Sequence, residues 1–334
     1  MTFIIRGVSI VITVNVKVAQ ATHEPPFSPC GRRAGGRGGT VMTFIIRGIS
    51  TVMIVSGQTN ASVAEHMAIS STFVASDGDG YEVQMGRWSR RLAPLFIDFA
   101  GIAAAERVLD VGCGTGNLSF SIARNPAIGS VRGIDFSAAY VDHAKRRNRD
   151  ARVDFEVGDA CALPFPDASF DHTLSLLVLQ FIPQADLAVR EMRRVTRPGG
   201  IVAAATWDTR GGLVCVRLIF DTAAMLDEHG NEDRARAYTK PMSRPGDLAR
   251  AWREAGLVGV VDGMLTIRMD FASFADFWVP AEGKDGPIAA YVGTLGMQAR
   301  EKLRDMVKLA YLDGEVDGPR SYAATAWVVK GKVP

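Results

Sequence analysis

Apolar residues beyond position 90 fall into two kinds of pattern, and each predicts its own kind of element. Leu92, Leu95, Phe96 and Phe99 predict a helix. Val108, Leu109 and Val111 predict a strand, and Leu118, Phe120, Ser121, Ile122 and Ala123 carry the spacing of a helix packed on a sheet. Farther along, Ile201-Val202-Ala203-Ala204-Ala205-Thr206 is continuous enough for a strand that ends at Trp207-Asp208. Val214, Leu218, Ala223, Met225 and Leu226 are then spaced for burial on a helix, inside an insertion spanning about 211–245. Arg244-Pro245-Gly246-Asp247-Leu248 opens a helix through Trp252 to Gly256. Leu265-Thr266-Ile267-Arg268-Met269 and Ala323-Ala324-Thr325-Ala326-Trp327-Val328-Val329 are strands, and an aromatic-rich segment at about 271–300 adds a second cap.

The sharpest punctuation is Asp110-Val111-Gly112-Cys113-Gly114-Thr115-Gly116, where a strand turns into a helix through three alternating glycines. Glycine admits positive φ and, lacking a Cβ, lets a ligand lie almost against the main chain. A dinucleotide-binding turn wants a third glycine three positions after its second, to seat a pyrophosphate at the helix start. That position is Asn117. Asp110 at the strand end would repel a pyrophosphate and suits a cationic ligand such as an ammonium or sulfonium.

Val108-Leu109-Asp110-Val111-Gly112-Cys113-Gly114-Thr115-Gly116 resembles the first motif of the class I S-adenosylmethionine-dependent methyltransferases. The later motifs follow in family order. Ile134-Asp135-Phe136-Ser137 ends a second strand, Val157-Gly158-Asp159-Ala160 ends a third, and Phe170-Asp171 opens a fourth. Arg194-Val195-Thr196-Arg197-Pro198-Gly199-Gly200 is similar to the turn before the fifth strand. The resemblance covers about residues 80–210 and is nearest to the small-molecule branch, the quinone-biosynthesis C-methyltransferase or methyltransferase type 11 group. It implies an α/β, Rossmann-like fold: a seven-stranded, mostly parallel sheet with an antiparallel last strand, helices on both faces and a helical cap.

The resemblance also implies which residues hold S-adenosylmethionine as cofactor. Gly112, Cys113, Gly114 and Gly116 would make the turn beneath it, with Asp110 at the strand end. Asp135, beside Phe136, would accept from the ribose hydroxyls, and Asp159 from the adenine amino group while the Ala160 backbone meets the ring. Either Asp taken alone reads equally well as a helix cap or a turn residue. Tyr81, Arg87 and Trp88 resemble a lid that closes over the methionine end, where an Arg fork suits a carboxylate; packing of a surface Arg on a Trp explains the last two as well. Gln180 and Trp207 are the expected acceptor contacts, and the catalytic base stays unassigned. His172 reads as a core residue of the fourth strand, and His229 as the freer histidine.

Met1-Thr2-Phe3-Ile4-Ile5-Arg6-Gly7 recurs at 42–48, and Gly31-Arg32-Arg33-Ala34-Gly35-Gly36-Arg37-Gly38-Gly39 between the copies is too simple to bury a core. Residues 1–66 are therefore expected to be a disordered extension, with the methyltransferase domain at 67–334. Ala19-Gln20-Ala21 resembles a signal cleavage site, but Arg6 interrupts the apolar run and the charge-free stretch is short for a membrane span. The expected location is cytoplasmic, without stable membrane insertion.

A net charge of +2 with no basic block argues against nucleic acid as a partner and for a small-molecule substrate. Cys30, Cys113, Cys161 and Cys215 lack metal-ligand spacing, so no metal is expected, and Cys113 fits the turn by its small size. Methyl transfer by in-line displacement is the expected activity. The alternatives are a regulatory protein that binds S-adenosylmethionine without turnover and, more distantly, an NAD(P)-dependent oxidoreductase.

Overall fold

Val108, Leu109 and Val111 are fully buried in β1 (Arg107–Val111), as expected of a strand covered on both faces. The computed structural model describes residues 71–334 except 74, and the backbone of four short strands nearer the amino terminus. From β1 the chain builds β2 (Ser130–Asp135), β3 (Val153–Val157), β4 (Phe170–Leu176), β5 (Thr196–Trp207), β6 (Val258–Phe271) and β7 (Arg320–Lys332). They form one seven-stranded sheet in the order β6-β7-β5-β4-β1-β2-β3. All neighbours from β3 to β5 run parallel, and β7 runs antiparallel to both β5 and β6. This is the expected α/β fold.

The strand order reverses between β1 and β4, and open α/β sheets bind ligands in the crevice beyond such a switch. Helices cover both faces. On one, α1 (Arg87–Ala100) buries Leu92 and Phe96, and α2 (Asn117–Ala123) and α3 (Ala138–Arg147) bring Leu118, Ile122, Val141 and Ala144 into the same core. On the other, α4 (Ala185–Val195) packs Val189 and Met192 with Leu109 and Val111. There α7 (Asp247–Glu254) is seated by Trp252, whose indole N–H donates to the Val202 carbonyl at 2.9 Å.

Two groups of helices rise beyond the strands. The first, α5 (Val214–Leu226) and α6 (Glu228–Tyr238), follows β5. The second follows β6 and contains a short helix, Phe274–Trp278, then α8 (Gly286–Thr294) and α9 (Met297–Leu312). The buried face of α5 is Cys215, Ile219, Phe220 and Ala223, so Met225, expected inside, is 82% exposed: the apolar stripe runs one residue off the predicted spacing. Likewise β6 is longer than the expected 265–269, because it is an edge strand whose first half has little burial and no clear alternation.

The chain divides into two units, residues 1–66 and 67–334. In the first, Thr2–Ile5 pairs antiparallel with Val8–Val11, and Phe44–Ile46 with Ile49–Thr51. The glycine-rich stretch 31–39 and the expected disorder there lie outside the described residues. Among the described residues no helix is long and apolar enough to cross a membrane.

Candidate functional site

Gly112, Gly114 and Gly116 all take positive φ, at 74°, 55° and 88°, where a residue with a Cβ would be strained. A side chain on Gly112 would also collide with Val178, and one on Gly116 with Phe120, whereas Gly114 faces open space with Tyr140 no nearer than 4.0 Å. The turn is tied to the end of β2: the amides of Gly112 and Cys113 both donate to the Ile134 carbonyl, at 2.7 and 3.0 Å, and Gly114 N–H donates to Asp135 Oδ2 at 2.9 Å.

Asp135 is 6% exposed and lines the cleft above this turn. Its Oδ1 accepts from Ser137 N–H at 2.9 Å, so each oxygen holds one backbone amide and keeps lone-pair capacity for a ligand hydroxyl. Burial pushes its pKa up to about 6, against those two amides. Asp110 is buried more deeply, at 1% exposure, and does not reach the cleft wall. Its Oδ2 accepts from the Ser119 amide at 3.1 Å and hydroxyl at 2.7 Å, which ties the start of α2 to the strand end. Burial raises its pKa to about 7, and Oδ1 has no protein partner.

Ahead of α1 a turn of helix, Gly78–Tyr81, runs through a wider turn, Glu82–Gly86. Glu82 is the centre of this lid. Its carboxylate accepts from the Thr115 hydroxyl, from Asn117 Nδ2 at 2.9 Å and from Arg147 Nη1 at 3.1 Å, and it pairs with Arg90. Burial works to raise its pKa, but these hydrogen bonds and the Arg90 charge hold it below the ordinary value. A second tie comes from Asp285 at the start of α8. It is 3% exposed and accepts from Ser76 N–H and Oγ at 3.0 and 2.7 Å, from Asp77 N–H at 2.9 Å and from the Tyr140 hydroxyl at 2.7 Å.

Lid, sheet and caps enclose a cleft with about 980 Å³ of empty space, solvent at its mouth included. Gly112, Gly114, Asp135, Phe136 and Tyr140 form one end. Leu176, Leu177 and Val178 form the floor past β4, and Trp207, Leu213, Val216, Phe220 and Ile288 an apolar end under the caps. Leu177 takes a left-handed φ of 67°, a conformation costing a non-glycine residue about 1 kcal/mol or more, at the switch between β1 and β4.

Residues 109–204 match the methyltransferase domain family. The 27-O-demethylrifamycin SV methyltransferase of Amycolatopsis mediterranei (strain S699) is 31% identical over 188 residues, spanning 50% of this chain and 69% of that enzyme. The chain belongs to the class I S-adenosylmethionine-dependent methyltransferases. Demethylmenaquinone methyltransferase of Renibacterium salmoninarum is 41% identical over 122 residues, 36% of this chain and 48% of that one. The rifamycin enzyme apart, the chain spans about half or less of the length of these curated relatives. In structure, a candidate methyltransferase from Bacillus halodurans C-125 shares the fold, with a TM-score of 0.50 at 18% identity over 72% of this chain and 98% of that one. The regulatory and oxidoreductase alternatives are not favoured by these relatives.

For this methyltransferase, the structure gathers only part of the predicted site around the cleft. Tyr81, Gly112, Gly114, Asp135, Phe136, Gln180 and Trp207 line it. Phe136 is 41% exposed, an apolar surface beside Asp135. Gln180 is buried, and its Oε1 accepts from the Trp207 amide at 2.7 Å, so it holds the end of β5 in place. Gly116 and the buried Cys113 shape the turn from behind, and burial pushes the Cys113 thiol pKa well up. Asp159 closes its own turn, accepting from Cys161 N–H at 2.8 Å, and the Ala160 side chain packs on the core beside it; neither lines the cleft.

Arg87 and Trp88, expected on the lid, do not line the cleft. Arg87 pairs with Asp276 at 2.8 Å and lies 4.4 Å from the centroid of Trp88, which is 5% exposed against Phe271. The start of α1 thus sets Arg87 against Asp276 and Trp88 against Phe271 at the end of β6. Sequence reasoning missed Glu82 and Asp285, whose partners are distant in the chain. Only Glu82 carried a local sign, an acidic residue within the lid segment. His172 is buried in β4 beside Glu106, and His229 lies near Asp233 outside the cleft.

Proposed function

We propose that this protein transfers the methyl group of S-adenosylmethionine to a small, largely apolar metabolite. The observation that carries this reading is one continuous cleft, running from the glycine turn and Asp135 to an apolar chamber beneath the caps. The donor end fits the cofactor: Gly114 leaves the approach to the main chain open, and Asp135 offers paired oxygens for two adjacent hydroxyls. When bound, S-adenosylmethionine supplies an already activated methyl group on a cationic sulfur.

The protein's task is then alignment and exclusion of water. Asp135 and the backbone of the turn would fix the donor's orientation, and Phe136 would cover one face of it. Tyr81 and Met85 on the lid and Phe220 and Ile288 on the caps would keep the chamber dry. We further propose that the protein works in the cytoplasm, where the donor is made, and that nucleic acid is not its acceptor, since the chamber is walled mainly by apolar side chains.

The test is incubation with methyl-labelled S-adenosylmethionine and a fractionated metabolite extract. A labelled small-molecule product, lost in Asp135→Ala, supports the reading; donor binding without transfer to any fraction refutes it.

A further inference from the structure

Lys240 is the one lysine or arginine among the described residues lining the cleft. It follows α6, in a loop held against β5 by the Thr206 hydroxyl, which donates to the Met242 carbonyl at 2.6 Å. Its ammonium lies 3.9 Å from the centroid of Phe181, and among the described residues no carboxylate pairs with it and no hydrogen bond is made by Nζ. Burial draws its pKa down to about 8.

The neighbouring wall carries two unsatisfied groups of its own. Gln180, next to Phe181, grips the Trp207 amide, which brings the end of β5 close to the Lys240 loop. There Trp207 Nε1 and Thr209 Oγ1 are buried without a partner, in residues only 3% and 6% exposed. Leu213, Val216 and Phe220 line the same chamber. Lys240 is half-buried, and an unpaired cation in a largely apolar cleft carries a desolvation cost that a ligand anion would offset. The Lys240 ammonium has three donors and suits negative charge, whereas the two buried atoms present no surface to the cleft.

We propose that Lys240 is the oxyanion-binding residue for the methyl acceptor, so that the natural acceptor is an apolar molecule bearing one anionic oxygen group, a carboxylate or a phenolate. This rests on the methyltransferase reading. The apolar body lies against Val216 and Phe220, and the oxyanion meets the Lys240 ammonium.

Calorimetric titrations at saturating S-adenosylhomocysteine test this with two isosteric pairs, 2-naphthoate against 2-naphthamide and 4-nitrophenolate against 4-nitroaniline. In the wild type, at least one anion binds about tenfold or more tighter than its neutral partner, the scale of a charge-assisted hydrogen bond. The pair showing the preference tells carboxylate from phenolate. Lys240→Met removes the preference and Lys240→Arg keeps it, while S-adenosylhomocysteine affinity is the same in all three proteins. Equal binding of anion and neutral partner in the wild type overturns the proposal, as does a preference that survives in Lys240→Met. Loss of S-adenosylhomocysteine affinity in Lys240→Met also overturns it, by making Lys240 the partner of the donor's own carboxylate. Failure of wild-type protein to bind S-adenosylhomocysteine is a separate result: it removes the methyltransferase reading and the acceptor subsite with it.

Discussion

Asp110 and Asp135 end neighbouring strands and carry the same charge, but burial gives them different work. Asp135 faces the cleft and Asp110 is turned into the start of α2. Asp135→Ala is expected to weaken S-adenosylhomocysteine binding by about 2 kcal/mol, roughly thirtyfold, which calorimetry measures directly. The ionised carboxylate is the better acceptor for ribose hydroxyls, and its pKa is about 6, so donor affinity should rise between pH 5 and 7 and then level off. An affinity flat across that range would show that Asp135 does not hold the donor.

Asp110 gives a stability prediction with a definite sign. Its folded pKa, about 7, lies above the ordinary 3.8, so the native state binds more protons than the unfolded one between those values. The group's contribution to stability therefore falls as the pH rises from about 4 to about 7. Asp110→Asn, which keeps an acceptor for Ser119, should raise the unfolding midpoint at pH 8 by several degrees. That gain should shrink steadily as the pH is lowered toward 4, in thermal scans at each pH. The local roles of the glycines and Asp135 were legible because a strand-to-helix turn with positive φ needs those residue types in that spacing. The burial of Asp110 was not, since its partner, Ser119, lies on the far side of the turn.

At the scale of elements, the lid is held from two directions, by Glu82 to the turn after β1 and to α3, and by Asp285 to residues 76 and 77. Breaking a partly buried ion network by removing its centre leaves Arg90 and Arg147 without this carboxylate. Glu82→Ala should cost about 2 kcal/mol of stability and speed amide exchange across 78–86 more than in β1. Equal exchange in variant and wild type would mean that the lid is set by packing alone. Central strands were readable because burial on both faces leaves continuous apolar runs. The caps were not: Lys240 sits after an exposed helix with no motif, and Arg87 and Trp88 are claimed by Phe271 and Asp276, about 190 residues away in the chain.

For the whole molecule, the core residues among those described all lie at position 88 or beyond. Deleting 1–66 should leave the unfolding midpoint and S-adenosylhomocysteine affinity unchanged, within about 0.5 kcal/mol. A drop in either would assign the amino-terminal unit a structural or binding part.

The antiparallel strand has a further bearing, on the order in which the molecule can be assembled. β7 lies between β5 and β6, so β6 leaves the ribosome before the strand that joins it to the sheet. Until β7 arrives, the far edge of β5, with its buried run from Val202 to Trp207, is an open template for foreign strands. The donor end of the cleft, built on β1, β2 and β4, needs nothing from that edge. The acceptor end does, because Asp208 N–H donates to the Thr325 carbonyl at 2.9 Å, and this bond fixes the chain between Trp207 and Thr209. A nascent chain could thus hold its methyl donor before it can tell one acceptor from another.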